Sequence, residues 1–501
     1  MKYADIVIDN KSQMTDSFYT YICEDSQAVI GQKVYVPFAR SKNLREGYIF
    51  DVRDKDERDL KFRAVDHADE NICLNGEMIE TCKWMKKRYL VKYIDGINCF
   101  TPAGGPSKRA LKQKQQVLAQ PVSRTLTSEQ SAALEKLSPC IEKREHGIFL
   151  INGVTSSGKT EVYIRAIEQV IASGRTAIMM VPEISLTGQV IDRFEKHFGS
   201  DMIAVMHSRM TKPQRYVQWQ RIRSGSVKIV IGARSAVFAP LENIGIIVLD
   251  EEHEATYKSD MTPRYEALEV AIKRAGYYGG IVVLGSATPS VVSTYRADEG
   301  IYHRIEMKTR FNKNPLPEVD IVDMGEELRN GNTGLLSREL YDRMKETLSQ
   351  GQQIILLLNR RGFSTYVSCR ECGHVMKCPH CDVSLTAHNN GKLICHYCGY
   401  ETPQVHACPS CGSPYIGGFR AGTQQIEQNV KKLFPKARVL RMDGDTTKTK
   451  NSYEEILSSF AAGEADILIG TQMIVKGHDF PNVTLVGALA ADLSLNAVDY
   501  R

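Results

Sequence analysis

Short apolar runs set the rhythm of this chain. IGIIVL (244–249) and the start of IVVLGSATPS (281–290) are continuous apolar stretches of strand length, the pattern of strands buried on both faces. GIFLINGVTSSGKTEVYIRAIEQVIASGR (147–175) changes period partway along. Ile148 to Ile151 supply another buried strand; after a turn, Val162, Ile167, Val170 and Ile171 fall on one helical face, which Gly174 stops. Strands followed by such a helix predict an α/β sheet with its ligands at the strand ends. At 501 residues the chain exceeds what one core organises, and about three domains are expected.

No run approaches the ~20 apolar residues of a membrane span, and MKYADIVIDN lacks the basic-then-apolar order of a signal peptide. A cytoplasmic protein is expected. Net charge is +5, from 64 basic against 59 acidic residues. That is too slight to argue for nucleic acid, so any DNA surface must be a local patch.

In a reducing compartment paired cysteines point to metal. Eight of the 13 cysteines form four CxxC pairs between 369 and 411. Joining the first pair to the second leaves a cramped loop of five residues, whereas joining 378/381 to 395/398 leaves thirteen, near the usual zinc-ribbon spacing. This predicts a nested arrangement: Cys378, Cys381, Cys395 and Cys398 around one Zn²⁺, and Cys369, Cys372, Cys408 and Cys411 around another. With four protein ligands each and no open position, both are structural zincs, and His374, His380, His396 and His406 read as surface residues. Buried or redox-active thiols are the competing reading.

The turn after Ile151 carries Gly153, Val154, Thr155, Ser156, Ser157, Gly158, Lys159 and Thr160, a phosphate-binding loop whose amides curl around ATP oxygens at a helix N-terminus. Lys159 reaches the β/γ-phosphates, and Thr160 and Asp250 hold Mg²⁺. Asp250 closes the IGIIVL strand, and Glu251 is the candidate to orient or deprotonate the attacking water. An acidic helix start is the plain alternative for that pair.

DEEH (250–253) followed by GSATPS (285–290) resembles superfamily 2 helicases and translocases. Other segments fall in the same order. LTSEQ (126–130) resembles the adenine-reading segment, with Gln130. VPEISLT (181–187) and IGARSAVFAP (231–240), with Arg234, resemble segments that hold strand phosphates. LLLNRRGFS (356–364), GTQQIE (422–427) and IGTQMIVKGHDFPNVTLV (469–486), with Lys476, resemble second-lobe motifs. The cysteine array inside that second lobe, the loop bearing Tyr257, Lys258, Arg264 and Tyr265, and the small N-terminal β domain with SFYTYI (17–22) together resemble the PriA family of replication-restart helicases.

The resemblance implies two RecA-like phosphate-loop lobes with a binuclear zinc insertion, plus an N-terminal β-rich DNA-binding domain. Its boundaries here are 1–102 for a 3′-end DNA-binding domain, 103–125 for a basic linker, 126–315 for lobe 1 and 316–501 for lobe 2 with a zinc insert at 366–417. It implies ATP-driven 3′–5′ unwinding at stalled forks and D-loops. The implied partners are single-strand-binding protein, primosome proteins and the replicative helicase loader; no membrane is involved. The loop at 257–265 would couple DNA contact to hydrolysis, Tyr19 or Tyr21 would line the 3′-end pocket unless it is simply core, and the zinc module would be a wedge or docking platform unless it is only a staple.

Two departures stand out. A Pro/Gly/Lys-rich linker, with Lys108, Arg109, Lys112 and Lys114, stands where relatives carry a winged helix. The sequence also stops at NAVDYR (496–501), before the family's arginine-finger motif, so a truncated sequence is expected. The rival readings are a zinc-bearing fork scaffold that does not unwind, and another superfamily 2 motor.

Overall fold

The computed structural model describes residues 1–10, 12–39, 43–56, 58, 61–102, 125–182, 188–207, 210–311, 315, 317–358, 366–388, 390–418, 422–447, 452–471, 474 and 480–494. The basic run at 108–114 lies outside them. The chain divides into two compact units, Met1–Leu316 and Pro317–Arg501.

The first unit opens with a five-stranded antiparallel sheet in the order Phe18–Cys23, Lys2–Ile8, Leu44–Arg53, Gln32–Pro37, His67–Cys73. Ala4, Ile6, Ile8, Tyr21, Cys23, Val34, Val36 and Ile49 pack together on its inner side. Two helices follow, Gly76–Tyr89 and Tyr93–Phe100. Asn75 caps the first, its side chain accepting from the Met78 amide at 2.9 Å.

Seven parallel strands then form one sheet, ordered His303–Met307, Gly147–Gly153, Ile281–Ser286, Ile244–Asp250, Thr176–Met180, Ile229–Gly232, Ile203–Met206. Alternation along the strands feeds two cores: Ile178, Met180, Ile247 and Leu249 enter one, and Ala177, Met179, Ile246 and Val248 the other. Both faces are therefore dry, which is why these strands read as unbroken apolar runs.

The first core also takes in Met78, Ile79, Cys82, Met85, Ile94, Ile97 and Phe100 from the N-terminal helices. At its centre Glu77 and Arg274, both at 0% side-chain exposure, form a two-pronged ion pair, Nε–Oε1 3.0 Å and Nη2–Oε2 2.8 Å. Arg274 also donates to the carbonyls of Val237, Ala239 and Leu241, and its guanidinium lies 5.1 Å from the Phe100 ring. Trp219 Nε1 donates to the Phe100 carbonyl at 2.8 Å.

In the second unit four parallel strands are ordered Val439–Met442, Ile467–Gly470, Gln353–Leu358, Val483–Leu489. Small antiparallel sheets between residues 366 and 418 interrupt the chain after the Gln353–Leu358 strand. Both RecA-like lobes expected from the sequence are present, the second carrying the cysteine-rich insertion. Among the described residues no helix is long and apolar enough to cross a membrane.

Glu77→Ala leaves the Arg274 cation buried without its counter-ion and is expected to cost about 3–5 kcal/mol. Replacing the pair together, Glu77→Leu with Arg274→Met, is expected to recover most of that loss. Urea unfolding of the first unit, followed by fluorescence of Trp84 and Trp219, reads both; an unchanged midpoint in Glu77→Ala contradicts the assignment.

Candidate functional site

The loop after the Gly147–Gly153 strand turns through two left-handed residues, Ser156 (φ 64°) and Gly158 (φ 87°), before the Lys159–Ala172 helix. Left-handed residues at this point turn successive amides toward a common centre, the arrangement that suits an anion. Lys159 is buried, and its Nζ donates to the Gly153 carbonyl at 2.7 Å. A side chain on Gly153 would lie 2.8 Å from Ser157 Oγ, so glycine keeps the cradle open. That hydroxyl is buried and has no hydrogen-bond partner among the described residues, a polar group awaiting a ligand in a donor-lined cradle. The fit is to a polyphosphate.

Gln130, from the segment likened to an adenine reader, stands beside the phosphate loop. Its Oε1 accepts from the Thr127 amide at 2.9 Å in a capping box, and its Nε2 faces the Ser157 and Gly158 carbonyls at 3.4 Å. The side chain props the back of the loop.

Asp250 ends the Ile244–Asp250 strand. Burial and the adjacent Glu251 push its carboxyl up to about 6, against the pull of Lys159. Glu251 sits at φ 48°, a conformation that costs a non-glycine residue and is held here by its surroundings. Sequence reasoning missed three residues around this pair. Tyr163, fully buried, donates to Asp250 Oδ1 at 3.1 Å; the room for its ring comes from Gly285, where a Cβ would lie 1.6 Å from the phenol oxygen. His253 Nδ1 lies 2.7 Å from Ser286 Oγ, and Glu252 accepts from the Ser290 amide at 2.6 Å and from Ser293 Oγ at 2.9 Å. The acidic strand end is thus bonded to the SAT segment. The available signal was a polar aromatic one helical turn past Lys159, beside a glycine in the neighbouring strand.

The loop expected to couple DNA contact to hydrolysis divides by burial. Tyr257 and Tyr265 are buried, at 4% and 6% exposure, so neither offers a face for base stacking; Lys258 and Arg264 are exposed. Tyr257 donates its hydroxyl to the Asp250 carbonyl at 2.7 Å. Arg234 donates to the Thr256 and Lys258 carbonyls and lies 5.8 Å from the Tyr265 ring. These are contacts of a linkage between loop and strand end. Lys476, residues 183–187 and residues 359–364 lie outside the described residues.

The cysteines gather into two groups, Cys369, Cys372, Cys408, Cys411 and Cys378, Cys381, Cys395, Cys398, with all ligand atoms of each group within 4.8 Å of one another. Sγ–Sγ distances of 3.6 Å for Cys369–Cys411, 3.7 Å for Cys372–Cys408 and 3.6 Å for Cys378–Cys398 compare with about 3.8 Å for thiolates 2.3 Å from a tetrahedral zinc. Each pair forms a knuckle closed by a left-handed residue: Gly373, Gly399, Gly412 and, in the second, Asp382 at φ 54°. Within the second group the amides of Cys398 and Tyr397 pull the Cys395 thiol down, while the neighbouring sulfurs push Cys381 up. The donor set and its spacing fit two zincs.

On the N-terminal sheet a groove of about 380 Å³ is lined by Asp5, Phe18, Phe50, Asp51 and Lys83. Neither tyrosine named from the sequence lines it. Tyr21 is buried with its hydroxyl on the Pro37 carbonyl, and Tyr19 packs edge-on against Phe38.

Taken together, a phosphate cradle and an acidic strand end bonded to the 286–293 segment, on parallel strands, define a phosphate-loop nucleotide-binding lobe. Residues 127–295 match the DEAD/DEAH box helicase family and residues 418–500 the helicase conserved C-terminal domain. Residues 5–102 match the 3′ DNA-binding domain of PriA, and 378–403 the Cys-rich region domain of PriA DNA helicase. Replication restart protein PriA of Treponema pallidum is 36% identical over 500 residues, 97% of this chain and 74% of the relative. That of Bacillus subtilis is 53% identical over 377 residues, 75% of this chain and 47% of the relative, and that of Synechocystis 45% over 362 residues, 70% and 43%. The chain belongs to the PriA family of replication restart proteins, and spans about half the length of the Bacillus and Synechocystis relatives.

Nested pairing predicts zinc counts. Cys372→Ser with Cys411→Ser is expected to release one zinc of two, whereas Cys372→Ser with Cys381→Ser releases both. Metal analysis of the two purified double variants tests this. Loss of a single zinc from the second would mean sequential pairing.

Proposed function

We propose that this chain carries the motor and the fork-recognition domain of an ATP-dependent 3′–5′ DNA helicase that restarts replication at stalled forks and D-loops. The observation that carries the reading is the union, in one compact unit, of a phosphate loop with a domain of the 3′ DNA-binding type, joined by the buried Glu77–Arg274 pair.

In this reading the loop Gly153–Thr160 binds the ATP phosphates, and Lys159 leaves the Gly153 carbonyl to meet the β/γ oxygens. Mg²⁺, held through Thr160 and Asp250, would neutralise charge on those oxygens. Tyr163 fixes the rotamer of Asp250 by its hydrogen bond, and Glu251 orients the attacking water. Glu252 and His253 pass the nucleotide state to the segment 286–293, and Tyr257 passes it to the loop carrying Lys258 and Arg264. Lys258, Arg264, Arg234 and Lys476 meet or track strand phosphates. The groove beside Phe18 and Lys83 takes the leading-strand 3′ terminus, an aromatic face for the base and a cation for the phosphate.

The zinc insert acts as a stiff platform at the fork. Single-strand-binding protein, primosome proteins and the replicative helicase loader are the proposed partners, in the bacterial cytoplasm at the nucleoid.

Three outcomes are expected. At one fixed salt concentration the chain binds a fork with a free leading-strand 3′-OH more tightly than one blocked by 3′-phosphate, and Phe18→Ala reduces affinity for the first about tenfold. Equal affinity for both forks sinks the fork assignment. Lys159→Ala abolishes ATP hydrolysis while leaving fork affinity unchanged. Tyr163→Phe raises the Mg²⁺ concentration for half-maximal hydrolysis about fivefold, the value of one hydrogen bond of about 1 kcal/mol, where a merely structural change would lower the maximal rate alone.

A further inference from the structure

The zinc insert holds a pair of metal-ligating side chains that neither cysteine group uses. His388 follows the short strand Thr386–Ala387, and His396 lies inside the knuckle between Cys395 and Cys398. Their Nε2 atoms face each other at 3.2 Å, with ring centroids 5.1 Å apart and planes at 60°. Two imidazole nitrogens about 2.0–2.1 Å from one tetrahedral zinc lie about 3.3–3.4 Å apart. A straight N–H···N bond between rings laid end to end would separate the centroids by roughly 5.5 Å. The observed rings are closer, so their axes are not collinear, as convergence on a single ion requires.

The backbone beneath both rings is fixed. The His388 amide donates to the Lys392 carbonyl at 2.9 Å across the hairpin, and Ala387 is paired with Leu393. His396 is carried by a knuckle in which the Cys395 amide donates to the Tyr400 carbonyl at 2.8 Å and the Gly399 amide to the Cys395 carbonyl at 2.9 Å. The lysine between the two histidines, Lys392, has its ammonium on Glu401 at 2.6 Å, so its charge is neutralised beside the pair. His388 is half-buried and His396 exposed.

We propose that His388 and His396 form a third metal site on the insert, exchangeable and open, for a borderline divalent cation such as Zn²⁺ or Ni²⁺. Imidazole nitrogen suits these ions. Two protein ligands leave the remaining positions to water or to an oxyanion such as a phosphate, the opposite of the closed cysteine sites. The geometry depends on the knuckle, so the third site forms once Cys378, Cys381, Cys395 and Cys398 are metallated. It does not depend on the motor reading.

The test is equilibrium dialysis of the chain, carrying its two tight zincs, against buffered Zn²⁺ over the micromolar range. A third equivalent is expected in the wild type. His388→Gln and His396→Gln, each on the surface and each sparing the cysteines, are expected to weaken it by roughly tenfold or more while retaining the first two. A parallel titration with Ni²⁺, followed by NMR of the histidine ring protons, is expected to broaden those of His388 and His396 first. Wild type that stops at two zincs, or a third equivalent that survives either substitution, overturns the proposal; so does Ni²⁺ broadening at other histidines first.

Discussion

The Glu77–Arg274 pair sets where the N-terminal domain stands on the motor. Taking two charges out of water costs several kcal/mol each, and the site offsets this with fork-to-fork geometry, three backbone carbonyls on the guanidinium and the Thr81 hydroxyl on the carboxylate at 2.8 Å. Such a pair is poor as a source of stability and good as a locator, because any other seating strands a charge. Arg274 lies in the helix Ala267–Tyr277, whose first turn is held by the same N-terminal domain: Tyr89 donates to Glu269 at 2.6 Å and Arg88 pairs with it. One lobe helix is thus gripped at both ends.

That helix begins where the loop 257–266 ends. The loop leads back through Tyr257 to the Asp250 carbonyl, and through Arg234 to the segment at 231–240. Each link is a hydrogen bond worth about 0.5–1.5 kcal/mol, whereas breaking the buried pair costs about 3–5 kcal/mol. The loop and the strand end are therefore the softer part of this linkage and the domain joint the stiffer one. The left-handed Glu251 lies on the compliant side of this divide, where strain can be relieved.

What was legible in the sequence was what local spacing determines. The phosphate loop needs a strand before it and a helix after it, and the four CxxC pairs carry their own loop lengths. The buried strands announced themselves because both faces are covered. Residues that act across long separations left no such trace: Glu77 and Arg274 are 197 positions apart, and Tyr163 and Asp250 are 87 apart. Tyr19 and Tyr21, two apart in one strand, share a face in any register. Pairing of Asp5 with Thr20 turns Tyr19 and Tyr21 inward with the core and leaves Phe18 outward with Asp5, in the groove. The loop at 257–265 was legible as a coupling element, but not that Tyr257 and Tyr265 would be buried in it, Tyr265 against Phe238 at 4.8 Å.

The zinc insert follows from the same kind of constraint. Its fully buried core is Val367, Cys378, Leu385, Leu393 and Cys395, and three of these are aliphatic. That is a small apolar core for an insert of this length. The two four-cysteine groups add cross-links to it, and its core is separate from the lobe's own. Its ends meet as an antiparallel pair, Val367–Cys369 against Ile416–Gly418, so the chain re-enters the lobe near where it left. The parallel sheet keeps Gln353–Leu358 between Ile467–Gly470 and Val483–Leu489 as though nothing intervened. A motor lobe can carry a metal module there because the module brings its own source of stability and asks the sheet for nothing.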